Sequence, residues 1–170
     1  MRKPQFWAVY LLLLVAQLVL SNYAVFTPYL MISILPAMVL CIPSRVGTVG
    51  AMLIAFASGL TVDLLSEGIL GLNALALVPV ALVRTPVIGS IFGRDLFARK
   101  EDFSIRKNGL MQVFLAVLLV QVLFLAIYVW TDSAGTRPFW FNAARFGVSL
   151  AAGLAVSVPA LQVLAPDTRK

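Results

Sequence analysis

Long apolar runs separated by a few polar positions dominate this chain. Residues 5–22 form one run, broken only by Gln5 and Gln17 and preceded by Arg2 and Lys3. Further apolar stretches cover about 28–42, 46–65, 69–83, 110–130 and 142–164. A membrane-spanning helix needs about 20 residues, with a range of about 17–25. The first, third, fifth and sixth stretches meet that length. The second and fourth are short, so they read either as re-entrant segments or as helices that continue into their flanks. The pattern predicts an all-α integral membrane protein: one polytopic domain over 1–170, a compact bundle of about six transmembrane helices, and a loop over 84–109. A charged start before an apolar run also suits a signal peptide. No small-x-small cleavage site follows at Ser21–Ala24, so an uncleaved first helix is expected.

Composition strengthens this picture. Of 170 residues, 61% are hydrophobic and 12% charged. Soluble domains run nearer 45–50% apolar and about 25% charged. Too little polar surface remains to cover a water-soluble core, and disorder is excluded for the same reason. There is no histidine, which removes the commonest acid–base residue and metal ligand. A single cysteine, Cys41, excludes an internal disulfide and a cysteine-rich metal site. No cofactor or metal is expected.

The formal net charge is +6, from 13 Lys and Arg against 7 Asp and Glu. In a membrane protein this excess marks cytoplasmic loops rather than a nucleic-acid surface. With six spans, the side of the N-terminus holds Arg2, Lys3, Arg45, Arg84, Arg94, Arg99, Lys100, Arg106, Lys107, Arg169 and Lys170. The other side holds Arg137 and Arg145. Both termini are therefore expected in the cytoplasm. If the two short stretches were re-entrant, only Arg45 would change sides. Aromatic residues agree: Tyr23, Phe26, Tyr29, Tyr128, Trp130, Phe139, Trp140 and Phe141 fall at the proposed outer boundary, Phe6 and Trp7 at the inner one.

Asp63 is the sharpest polar exception. A carboxylate inside a spanning helix is costly and usually faces protein or a cavity. It either pins neighbouring helix ends or serves a partner or a transported solute. Arg145, three residues into the sixth stretch, is expected at similar depth, and an Asp63–Arg145 pair is predicted. Small residues recur every four positions at Gly47, Ala51, Ala55 and Gly59, and again at Ala143, Gly147, Ala151 and Ala155. Both stripes read as buried helix–helix contacts, which small residues permit. Pro36, Pro79 and Pro159 are expected to kink their helices. In the 84–109 loop, Val87, Ile88, Ile91 and Phe92 fall at helical spacing. This suggests an interfacial amphipathic stretch whose basic neighbours (Arg84, Arg94, Arg99, Lys100, Arg106 and Lys107) attract anionic lipid. No phosphate-binding glycine loop and no nucleophile elbow occurs, so an enzyme is not expected.

Residues 55–84 read AFASGLTVDLLSEGILGLNALALVPVALVR. Gly59, Asp63 four residues on, Gly68 in a short turn, then Gly71 with Ala74 three further form a pattern that resembles the rod shape-determining protein MreD family. Thr27-Pro28-Tyr29 at the head of the second stretch is also similar. The resemblance implies a non-catalytic inner-membrane scaffold of the bacterial elongation machinery, supporting peptidoglycan synthesis and cell shape. Its implied partner is an MreC-like membrane protein, and through it MreB, RodA and a class B penicillin-binding protein. It also implies a bundle similar to the substrate-binding subunits of energy-coupling-factor transporters. Asp63 with the turn 66–73, including Asn73, is then the expected critical site. The alternative function is a small-molecule-binding subunit of a transporter, with a polar cavity among Asp63, Asn73, Gln121 and Arg145.

Overall fold

Among the described residues five helices are long and apolar enough to cross a membrane: Gln5–Asn22, Ser44–Ser66, Leu72–Phe92, Met111–Ser133 and Phe139–Leu161. The computed structural model describes residues 3–23, 30–67, 69–92, 109–134 and 136–164. Among these the chain is all-helical. Its elements are α1 (Lys3–Tyr23), α2 (Leu35–Leu40), α3 (Gly47–Val62), α4 (Leu72–Phe92), α5 (Leu110–Ser133) and α6 (Phe139–Leu164). A single 3-10 turn (Ser44–Val46) leads into α3, and one π-helical turn (Asp63–Glu67) ends it.

The runs become helices because a helix satisfies its backbone within one segment, as hydrocarbon surroundings require. Consecutive long helices lie side by side from α3 to α6. Helix α1 closes the ring by packing between α3 and α6. The short α2 occupies the centre and touches all five long helices. Every residue of α2 is buried. Large aliphatic side chains such as Leu11, Leu12, Val49, Leu53, Leu82 and Met111 face outward, as a lipid-facing surface demands.

The stretch expected as a second span over 28–42 is built differently. Residues 30–34 form no regular element, and only Leu35–Leu40 is helical. Irregular chain in the middle of a bundle carries free backbone polar groups, so it survives there only if protein satisfies them. Three long helices do this. Gln17 of α1 accepts from the Ile34 N–H at 2.8 Å and donates to the Ile32 carbonyl at 3.1 Å. Ser149 of α6 accepts from the Met31 N–H at 2.9 Å. Gln121 of α5 donates to the Ser33 carbonyl at 3.2 Å. The segment runs antiparallel to α1, because Ile34 meets Gln17 while Cys41 lies near Tyr10. Pro36 does not kink a helix. It sits in the first turn of α2, where no N–H is needed.

The fourth stretch also differs from expectation. It does not end at residue 83; α4 continues to Phe92, through Pro79 and Pro86. Val87, Ile91 and Phe92 pack against the core and Ile88 is buried. They continue the long apolar helix Leu72–Phe92. The reason is Arg84, only 3% exposed. Its Nε donates to the Leu40 carbonyl at 3.1 Å, and its Nη2 donates to the Ile42 carbonyl. The last carbonyls of a helix lack intrahelical partners and carry partial negative charge. The C-terminal end of α2 thus solvates the guanidinium, and α4 need not stop at a charge.

Gln17→Leu keeps the side-chain bulk but strands the Ile34 N–H and the Ile32 carbonyl. At about 1–3 kcal/mol for each buried unsatisfied group, the loss should reach about 2–6 kcal/mol. Denaturant titration of the full chain in mixed micelles measures it. Wild-type stability would show that Gln17 does not hold the segment 30–34.

Candidate functional site: the Asp63 clamp

The small-residue stripe of α3 leads to the site. Ala51, Ala55 and Gly59 are buried, and Gly47 at the helix start is exposed. At Gly59 the contact is backbone to backbone. A Cβ there would lie 2.6 Å from both the N and the Cα of Ala74, and 2.9 Å from the Asn73 carbonyl carbon. No atom larger than hydrogen fits that space, so α3 and the start of α4 touch directly.

One turn further, Asp63 is fully buried. Its Oδ2 accepts from the Gly71 N–H at 3.0 Å and the Ala74 N–H at 3.2 Å. Its Oδ1 accepts from the Asn73 N–H and the Asn73 side-chain amide, both at 2.9 Å. The N–H groups at a helix start have no partners within the helix, and that end favours negative charge. Asp63 therefore caps α4 from a neighbouring helix. Gly71 makes the geometry possible with φ +92°, a conformation that side chains disfavour. The Leu75 N–H to Gly71 carbonyl bond, 2.8 Å, then opens the helix. The π turn places Asp63 at the point where the ordinary helical path of α3 ends.

Gly59, Asp63, Gly71, Asn73 and Ala74 thus form one assembly, while Gly68 lies outside the described residues. The clamp has two loose ends: the Asn73 Oδ1 and the Ser66 hydroxyl are buried without a hydrogen-bond partner. Among the described residues no three His, Cys, Asp or Glu side chains gather to hold a metal.

The predicted Asp63–Arg145 pair does not form. Arg145 bonds Asp132, and Arg137 approaches the same carboxylate at 3.6 Å. Asp63 is already engaged by backbone groups close in sequence. Asp132 faces Arg145 across a short hairpin, a nearer partner than any on α3. The spacing of Asp132 and Arg145, thirteen residues astride the turn, is the sequence signal for this pair.

The residues expected to line a polar cavity also separate. Asp63 and Asn73 share the clamp. Gln121 bonds Ser33 and lies against Gly153, where a Cβ would come within 2.3 Å of its Nε2. Arg145 belongs to the α5–α6 hairpin. Of the basic loop residues, Arg84 is a buried part of α4. Arg94, Arg99, Lys100, Arg106 and Lys107 lie outside the described residues.

The second small-residue stripe is a further correction. Ala143 is half-buried, whereas Gly147, Ala151 and Ala155 are exposed, and nothing lies within 4 Å of a Cβ added at Gly147. The inward face of α6 is Ser149, Gly153 and Ser157, also small and also four apart. The Ser149 bond to Met31 decides which face turns in.

No family model, curated protein or solved structure matches the chain.

Two variant pairs test the clamp. Asp63→Ala strands three backbone donors and should cost at least about 2 kcal/mol, since a cap or a charged hydrogen bond is worth roughly 1–3 kcal/mol. Asp63→Asn should fall between, because an amide can accept on one side only; equal stability of all three proteins in micelle unfolding would discard the cap. Gly59→Ala should destabilise by about 1–3 kcal/mol through overpacking. Gly147→Ala should stay within about 0.5 kcal/mol, and the reverse ranking would place the close helix contact elsewhere.

Proposed function

We propose that this protein is a non-catalytic inner-membrane scaffold of the bacterial elongation machinery, similar to MreD, supporting peptidoglycan synthesis and cell shape. Its partner in this reading is an MreC-like membrane protein, and through it MreB, RodA and a class B penicillin-binding protein.

One observation carries the reading. The residues on which the family resemblance rests, as far as they are described, are a single physical device. Gly59 allows backbone contact with Ala74, and Asp63 four residues later caps the helix that Gly71 opens. The spacing of the pattern is the spacing such a clamp requires, since residues four apart share one helix face. Asp63 spends its oxygens on the chain's own N–H groups, which suits a fold-defining role better than solute binding. Gln121 and Arg145, also expected in a solute cavity, are engaged elsewhere. That favours the scaffold over the transporter subunit.

In this reading the termini and the loop after α4 face the cytoplasm. The charge distribution supports that orientation. The packing brings these helix ends to one side: Tyr10 near the start of α1 lies by Cys41, and Thr48 at the start of α3 meets Thr85 of α4. The basic segment 94–107 would then meet anionic lipid.

Affinity purification from bacterial membranes, followed by identification of the retained proteins, tests the proposal. Recovery of an MreC-like protein with a penicillin-binding protein is the expected result. Recovery of paired ATPases instead would assign the chain to a transporter.

A further inference from the structure

The hairpin joining α5 and α6 carries a charge imbalance that the clamp does not explain. Asp132, in the last turn of α5, is shared by two arginines. Arg145 bonds its Oδ2, and Arg137 stands 3.6 Å from the same atom. One carboxylate and two guanidiniums leave the cluster with one formal positive charge. The Arg145 side chain is 11% exposed and its Nε is buried without a hydrogen-bond partner. Arg137 is 41% exposed and stacks over Phe141 at 5.2 Å.

The surroundings are apolar rather than watery. Trp130, Phe139 and Trp140 are all exposed beside the cluster, Trp140 at 82%, and their rings meet edge to face. Exposed aromatic rings of this kind favour the headgroup level of a bilayer. A surplus guanidinium charge at that level, partly removed from water, needs a counter-charge. Guanidinium groups match phosphate oxygens in both charge and geometry. An aromatic surround suits a ligand that brings acyl chains with its phosphate.

We propose that Arg137, with Arg145 behind it, binds the phosphate of an anionic phospholipid at the α5–α6 end of the bundle. Asp132 fixes Arg145 by the shorter contact, and Arg137, more exposed and more loosely held, reaches the headgroup. The acyl chains lie against Trp130 and Trp140.

Tryptophan quenching in vesicles reads the site directly. Trp7→Phe removes the tryptophan on α1 and leaves Trp130 and Trp140 as reporters. Brominated phosphatidylglycerol should associate with them about fivefold more tightly than brominated phosphatidylcholine, the scale set by one basic residue at an anionic surface. Adding Arg137→Gln should abolish that preference, and Arg137→Lys should retain most of it. Quenching by brominated phosphatidylcholine, unchanged in all three proteins, reports that the hairpin stays folded. Equal quenching by both lipids in the Trp7→Phe protein overturns the proposal, as does a preference that survives Arg137→Gln. A preference erased by inorganic phosphate assigns the cluster to a free anion and overturns it too.

Discussion

Hydrocarbon offers no hydrogen bonds to a peptide group, and the bundle is organised by that single lack. Most of the chain answers with helices. The segment 30–34 does not, yet it occupies the centre. It is tolerated because Gln17, Gln121 and Ser149 stand in for the water that is absent. These three side chains come from α1, α5 and α6, so satisfying one short strand of backbone fixes the positions of three helices at once. The packing around α2 follows from hydrogen-bond accounting as much as from apolar contact.

The two buried charges obey the same rule at helix ends. Asp63 meets the N-terminal N–H groups of α4, and Arg84 meets the C-terminal carbonyls of α2. Each charge has the sign that its helix end favours. Asp63 is held by these N–H groups rather than by an opposite side-chain charge, which is why pairing it with a distant arginine was a poor guide. A buried ion is often held by dipoles and hydrogen bonds, and these belong to the backbone nearest in sequence. Asp132 and Arg145 do pair side chain to side chain, and they lie toward the exposed hairpin end.

Hydropathy made the helical class and the long segments legible. It blurred wherever a polar residue had a hidden partner. Arg84 looked like the edge of a loop because its solvating carbonyls sit more than forty residues earlier, at and just after the end of α2. Residues 30–34 read as part of a helix because apolar content does not distinguish a helix from an irregular chain that other side chains satisfy. Asp63 was legible as a helix pin from its position beside Gly59. The turn geometry that brings Gly71 and Asn73 to it was not. The α6 stripe failed for another reason. The helix has two faces of small residues, and the side that turns inward depends on a hydroxyl bonding to Met31, which periodicity cannot register.

Helix α4 ties these features together. Its first turn is held by Asp63 of α3 and meets Gly59 at backbone contact. Three turns later Arg84 reaches from the same helix to hold the end of α2. A rigid helix transmits the placement of its first turn to its later ones. Setting α4 against α3 therefore also sets the guanidinium against the α2 carbonyls. Among the described residues Asp63 and Arg84 are the deeply buried charged side chains, and both act on or from this helix. The pattern at 59–74 and the arginine at 84 are in this sense one structural unit. A loose clamp would be felt at the centre of the bundle, even though no atom of the clamp bonds to α2.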